Sequence, residues 1–164
     1  AAPLPAAPAV RTVASGAPKT PSAPRALPAA GAPDPARAQL PLDCGPLPVT
    51  VAISFAADLG DGTPSTVVAA HCTAGSGTAP DGVFLLGAGP DGRPVVRDTL
   101  LTWQEGLNVT RLALRSDGTL TASAQGYSTA DIPRCCPDLR VNLNWARQGT
   151  SYGRTQTSAP SATA

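Results

Sequence analysis

Leu139-Arg140-Val141-Asn142-Leu143-Asn144-Trp145 decides how the chain is read. Its apolar residues fall on alternate positions, with arginine and asparagine between them. A period of two marks a strand with one buried face and one wet face, whereas a helix would space its apolar residues three and four apart. Gln148-Gly149 ends the run, and Tyr152 offers one further contact.

The same pattern recurs upstream. Val49, Val51, Ile53 and Phe55 alternate with Thr50, Ala52, Ser54 and Ala56 until Gly60-Asp61-Gly62-Thr63-Pro64 breaks the strand. Thr66 to Cys72 is almost continuously apolar, as a central strand would be. Val83 to Leu86 and Arg93 to Leu101 read as a hairpin across Gly89-Pro90-Asp91-Gly92. Val109 to Arg115 and Thr119 to Gln125 flank Ser116-Asp117-Gly118. Asp-Gly predicts a tight hairpin in which both central residues take positive φ. No segment carries a helical period. These readings predict an all-β, single small antiparallel domain, a meander or small sandwich of about seven short strands.

The body spans residues 42–152. Ahead of it, residues 1–41 read as an Ala/Pro-rich disordered arm: 12 of the 19 prolines fall within residues 1–48. Proline at this density removes donors and excludes helix and ladder, leaving an extended spacer. Proteolysis is expected at Arg25 or Arg37, leaving a core that starts near Leu40. Residues 153–164, rich in Ser, Thr and Ala, read as a flexible tail.

Charge excludes some partners. Residues 1–41 carry four basic side chains against one acidic, a net +3. Residues 42–164 carry eight against ten, a net −2. Neither balance suits nucleic acid or an anionic membrane. A single lysine among twelve basic residues, with abundant Ala, Pro and Gly, points to a GC-rich bacterial genome. No apolar run is long enough to span a bilayer. The chain starts at Ala1 and has no Met, so it is expected to be a mature exported chain, extracellular or envelope-associated, with its signal removed.

Cys44, Cys72, Cys135 and Cys136 are even in number, include no C-x-x-C pair and have one histidine for company. Two disulfides in an oxidising compartment fit better than zinc. Direct bonding of the adjacent Cys135 and Cys136 would close a strained ring. Each is therefore expected to take a different partner, Cys44 and Cys72 receiving one apiece, in either order. Each such bond would stabilise by about 4 kcal/mol in the chain-entropy account, so reduction should come close to unfolding the domain.

Four features of the sequence bear on chemistry. Val68-Ala69-Ala70-His71-Cys72 resembles the strand end carrying the catalytic histidine of trypsin-like serine proteases. The chain lacks their Gly-Asp-Ser-Gly-Gly nucleophile motif, so His71 reads as the end of a buried strand. Asp58-Leu59-Gly60-Asp61-Gly62-Thr63-Pro64 is similar to the calcium-binding lead-in of FG-GAP or VCBS repeats. Only Asp58 and Asp61 supply carboxylates, and the unit does not repeat, so the segment reads as a glycine-rich turn. Asn108-Val109-Thr110 is a glycosylation sequon without meaning in a bacterial product. Arg111, Arg115, Arg140 and Arg147 read as solvated sheet charges in preference to an anion site.

Tyr127-Ser-Thr-Ala-Asp131-Ile-Pro-Arg-Cys135-Cys136-Pro137 precedes the last strand, and Cys72-Thr-Ala-Gly75-Ser-Gly77-Thr-Ala-Pro80 lies upstream. Together with the Asp-Gly segment they resemble a group of small secreted or lipid-anchored actinobacterial proteins with a C-terminal Cys-Cys-Pro. The resemblance covers most of residues 55–147. It implies an exported module and no particular activity, and the chain lacks a lipobox cysteine at residue 1. The expected function is a non-enzymatic binding or structural module of the envelope, monomeric, with no cofactor and an unidentified protein or envelope component as partner. Two alternatives stand beside it: a protease inhibitor using the loop from Ile132 to Arg140, and a hydrolase using His71.

Overall fold

The computed structural model describes residues 22–74 and 77–161. Residues 1–21 of the arm, Gly75-Ser76 of the upstream motif and residues 162–164 of the tail lie outside the described residues. Among the described residues, nine strands form two antiparallel sheets. The first sheet has the order β1-β2-β3-β4-β5: β1 (Arg25–Leu27), β2 (Val49–Asp58), β3 (Pro64–Cys72), β4 (Gly82–Ala88) and β5 (Pro94–Leu101). The second has the order β6-β7-β8-β9: β6 (Asn108–Leu114), β7 (Leu120–Gly126), β8 (Leu139–Gln148) and β9 (Ser151–Pro160). The all-β antiparallel reading holds, and β3 occupies the centre of its sheet as its apolar run implied.

The sheets pack face to face. Val67, Ala69, Val83 and Leu101 from the first meet Leu120, Ala122, Val141, Leu143 and Trp145 from the second. Trp145 is 1 % exposed, and its indole N–H donates to the Leu100 carbonyl across the interface at 3.1 Å. That bond resolves the cost of burying an indole donor. The alternation of residues 139–145 is thus the inner face of β8.

The outer face of the first sheet is also apolar. Val68, Ala70, Phe84 and Leu86 are fully buried there. Their cover is the part of the proline-rich segment that lies before β2. Ala38, Leu40 and Leu42 pack against them, and the Thr66 hydroxyl donates to the Pro33 carbonyl at 2.5 Å. Residues 22–41 are therefore not spacer, contrary to the arm boundary expected at residue 41. They add strand β1 to the sheet edge and then cross its outer face as a strap. Proline density excludes a long ladder, but three leading residues and scattered apolar side chains suffice once a sheet face needs covering.

The tail is corrected in the same way. β9 pairs with β8 from Gln148↔Ser151 to Leu139↔Pro160 through a two-residue turn at Gly149, whose φ is 65°. Its side chains are mostly exposed, so it shows no apolar alternation; backbone pairing alone places it. The hairpin at Ser116-Asp117-Gly118 also departs from expectation. Only Gly118 has positive φ, at 90°, and the Arg115 N–H donates to the Thr119 carbonyl, making a longer loop than a two-residue turn.

Candidate functional site

Antiparallel pairing sorts the connections to two ends of the sandwich. One end holds the short turns after β2, β4, β6 and β8. The other holds the long connections after β3, β5 and β7, together with the start of β2. Most of the reactive side chains lie at this second, loop end.

His71 closes β3 there. Its Nδ1 lies 2.7 Å from Oδ1 of Asp81, a residue 2 % exposed at the foot of β4. Oδ2 of Asp81 accepts the Val109 N–H at 2.7 Å, and the Asp81 N–H donates to the Leu107 carbonyl at 2.8 Å. Asp81 therefore bridges the two sheets and orients an imidazole with one carboxylate. Pro80-Asp81-Gly82 reads in sequence as loop punctuation, which hid this partner. The nearby Thr50 and Thr73 hydroxyls bond each other at 2.5 Å.

The cysteines overturn the expected pairing. Cys44 bonds Cys72, and Cys135 bonds Cys136. The topology explains why. The strap returns Cys44 to the end of β3, where Pro48 and Thr73 share a backbone hydrogen bond and Val49 opposes Cys72. Cys135 and Cys136 belong to the β7–β8 loop of the other sheet. Only the adjacent residue is left as partner, and the ring closes through one peptide bond.

That loop is tied down by a clasp instead of a cystine to the core. The Arg134 guanidinium donates to the carbonyls of Gly106 and Thr78 at 3.3 and 3.4 Å and to Oδ1 of Asn108 at 3.0 Å. It lies over the Tyr127 ring, 4.4 Å from the centroid, while the Tyr127 hydroxyl donates to the Arg134 carbonyl at 2.7 Å. Asn108 in turn donates to the Ala79 carbonyl at 2.8 Å, so the sequon asparagine serves the clasp. At the loop base, the Ser128 hydroxyl and N–H both donate to Asp138, at 2.5 and 2.8 Å. The hydroxyl first, then the amide, hold the Asp138 carboxyl below its usual range.

Between this loop and β8–β9 lies a hollow of about 430 Å³. Leu107, Leu139 and Val141 contribute apolar surface, and Ser128, Gln156 and Ser158 contribute hydroxyls and an amide. Glu105 and Arg154 face each other at its side through two hydrogen bonds of 2.5 and 2.9 Å. The bond to Arg154 holds the Glu105 carboxyl below its usual range. A second hollow of about 440 Å³ lies beneath the strap, between Ala29–Pro35 and Phe55.

The Asp-Gly segment sits at the opposite, turn end. Oδ1 of Asp58 accepts the Gly60 and Gly62 N–H groups at 2.8 and 3.1 Å, and Oδ2 accepts the Ser22 hydroxyl at 2.5 Å. Asp61 caps its own turn through the Thr63 N–H at 3.0 Å. The buried Asp58 oxygens thus serve the turn that follows β2. The Ser22 hydrogen bond, the largest influence, and then the glycine amides hold its carboxyl below the ordinary value. The four arginines do not form one cluster: the Arg147 guanidinium donates across to the Leu59 carbonyl at 2.6 Å, and Arg115 faces Asp117 at 3.9 Å. No group of three or more His, Cys, Asp or Glu side chains suited to a metal occurs among the described residues.

No family model, curated protein or solved structure matches the chain.

Proposed function

We propose that the chain is a non-enzymatic exported module whose loop end binds an uncharged, hydroxyl-rich component of the cell envelope, such as a glycan chain. The observation that carries this reading is the clasped hollow beside residues 127–138. Its apolar surface would stack a ligand face, and its rim offers hydroxyls and an amide. Arg134 and Glu105 are already paired within the chain, which disfavours an ionic ligand. Two disulfides are consistent with an extracellular location. No helix among the described residues is long and apolar enough to cross a membrane.

Ser158→Trp would fill the hollow from the exposed strand β9, where Ser158 stands opposite Val141. Sedimentation with isolated bacterial cell wall, followed by titration with its neutral oligosaccharides, should show binding weakened at least about tenfold in the variant. Equal binding by both proteins, or none by the parent, would overturn the reading.

One observation favours the hydrolase alternative: Asp81 orients His71 as a carboxylate orients a general base. Esterase turnover that disappears in His71→Ala would establish it. The inhibitor alternative meets an obstacle, because Arg134 is folded back onto three acceptors instead of projecting from its loop.

A further inference from the structure

The two disulfides differ in exposure and in the length of chain they close. Cys44–Cys72 joins residues 28 apart, is half-buried, and fastens the strap to the central strand. Cys135–Cys136 joins neighbours, and both residues are exposed. Opening the first frees a closed loop of chain; opening the second frees none. The β7–β8 loop also has closures independent of the ring. The Asp138 N–H donates to the Gly126 carbonyl at 3.1 Å, and Ser128 holds Asp138. Reduction at the tip therefore leaves the loop base intact.

The tip is where the clasp begins. Arg134 directly precedes the ring, and the Cys136 N–H donates to the Pro133 carbonyl at 3.0 Å, so the ring and the Arg134 backbone share one turn. Arg134 also lines the hollow.

We infer that Cys135–Cys136 is a thiol-reactive redox site, opened by an external dithiol while Cys44–Cys72 and the fold persist, and that its opening releases the Arg134 clasp. One thiolate of the dithiol attacks a ring sulfur, the Cys135–Cys136 bond breaks, and a mixed disulfide forms. The second thiolate of the reductant attacks that bond. The reductant leaves as its own disulfide, and both cysteines remain as thiols after taking up two protons. Two electrons pass from dithiol to protein. Any effect on ligand entry rests on reading the hollow as a binding site; the redox step and the release of the clasp do not.

Graded dithiothreitol, acid quenching, alkylation and peptide mapping test the first part. Cys135 and Cys136 should be labelled at reductant concentrations at least about tenfold below those that label Cys44 or Cys72, with the far-ultraviolet dichroism unchanged. Simultaneous labelling of both pairs, or unfolding at the first step, would overturn it. The second part is read from the Tyr127 ring resonances and amide exchange at Cys136. Both should change on reduction, and C135S/C136S should show the same change without reductant. A Tyr127 environment indifferent to reduction and to the double substitution would refute the coupling.

Discussion

The two ends of the sandwich solve the same problem in different ways. At the turn end, a short connection joins each pair of strands, and aspartate recurs as its cap. Asp61, Asp91 and Asp117 each accept the N–H two residues on, from Thr63, Arg93 and Thr119. These three caps are local and nearly interchangeable, although the turn after β2 also has two remote ties, Ser22 to Asp58 and Arg147 to Leu59. At the loop end the chain takes long paths, and its order depends on contacts remote in sequence: Cys44 with Cys72, Asp81 with Val109, Arg134 with Thr78. Local caps resemble one another and carry little individuality. Remote ties must each be specified by one side chain, and that is where a particular surface can be built.

The sharpest way to break this comparison is at Cys44–Cys72. Replacing both residues by serine should cost about 3–4 kcal/mol from the regained entropy of the open chain, measured by denaturant unfolding. A loss below about 1 kcal/mol would show that the strap is held by packing alone.

Next in size is Asp81→Ala, which leaves the Val109 N–H buried without its acceptor and removes the partner of His71. The expected loss is about 1–3 kcal/mol, with faster amide exchange at Val109. His71→Ala should cost less, because the Val109 bond survives. Equal losses would mean that the imidazole contact, not the bridge between sheets, is what Asp81 supplies.

The smallest effect at neutral pH belongs to the turn end. Asp58 has a depressed carboxyl value in the folded chain, so its contribution is fully present above the ordinary carboxylate value of 3.8 and disappears as pH falls through the lower folded value. Unfolding curves from neutral to strongly acidic pH should show this acid loss, and Asp58→Asn should flatten it. Asp117, Asp131 and Asp138 are also depressed, so the difference between parent and variant is the quantity to read. An unchanged acid slope would mean that the Ser22 and glycine donors do not favour the charged form.

The same contrast sets how much was legible in the sequence. Strands β2 to β8 follow from apolar patterning and turn residues. β8 shows the period of a strand with one buried face, and β3 and β4 the continuous apolar run of strands buried on both faces. In β2 the alternation marks a strand although Val49 and Val51 are exposed. β9 is exposed on nearly all its residues, and β1 is three residues in a proline-rich stretch. Neither has an apolar period to read. His71 and all four cysteines were visible as residues, but their partners depend on where strands cross. The strap that carries Cys44 to β3 has no sequence signature beyond three spaced apolar side chains. Arg134 was legible only as a member of the Tyr127–Pro137 motif and of the Ile132–Arg140 loop; its role as a clasp needs Tyr127, Gly106 and Thr78 to converge on it.

The strap also determines how the domain answers a mechanical pull. Tension applied at Ser22 would first peel β1 from β2, one rung at a time, and then lift Ala38, Leu40 and Leu42 from the sheet. Unravelling halts at Cys44, because there the force crosses the sulfur bridge into β3, the middle strand, and must shear its two flanking ladders together. The stretch from Ser22 to Cys44 would pay out about 75 Å of chain before that stop. The N-terminal side thus acts as a short extensible leash with a covalent end point, while the strands that frame the loop end keep their shape.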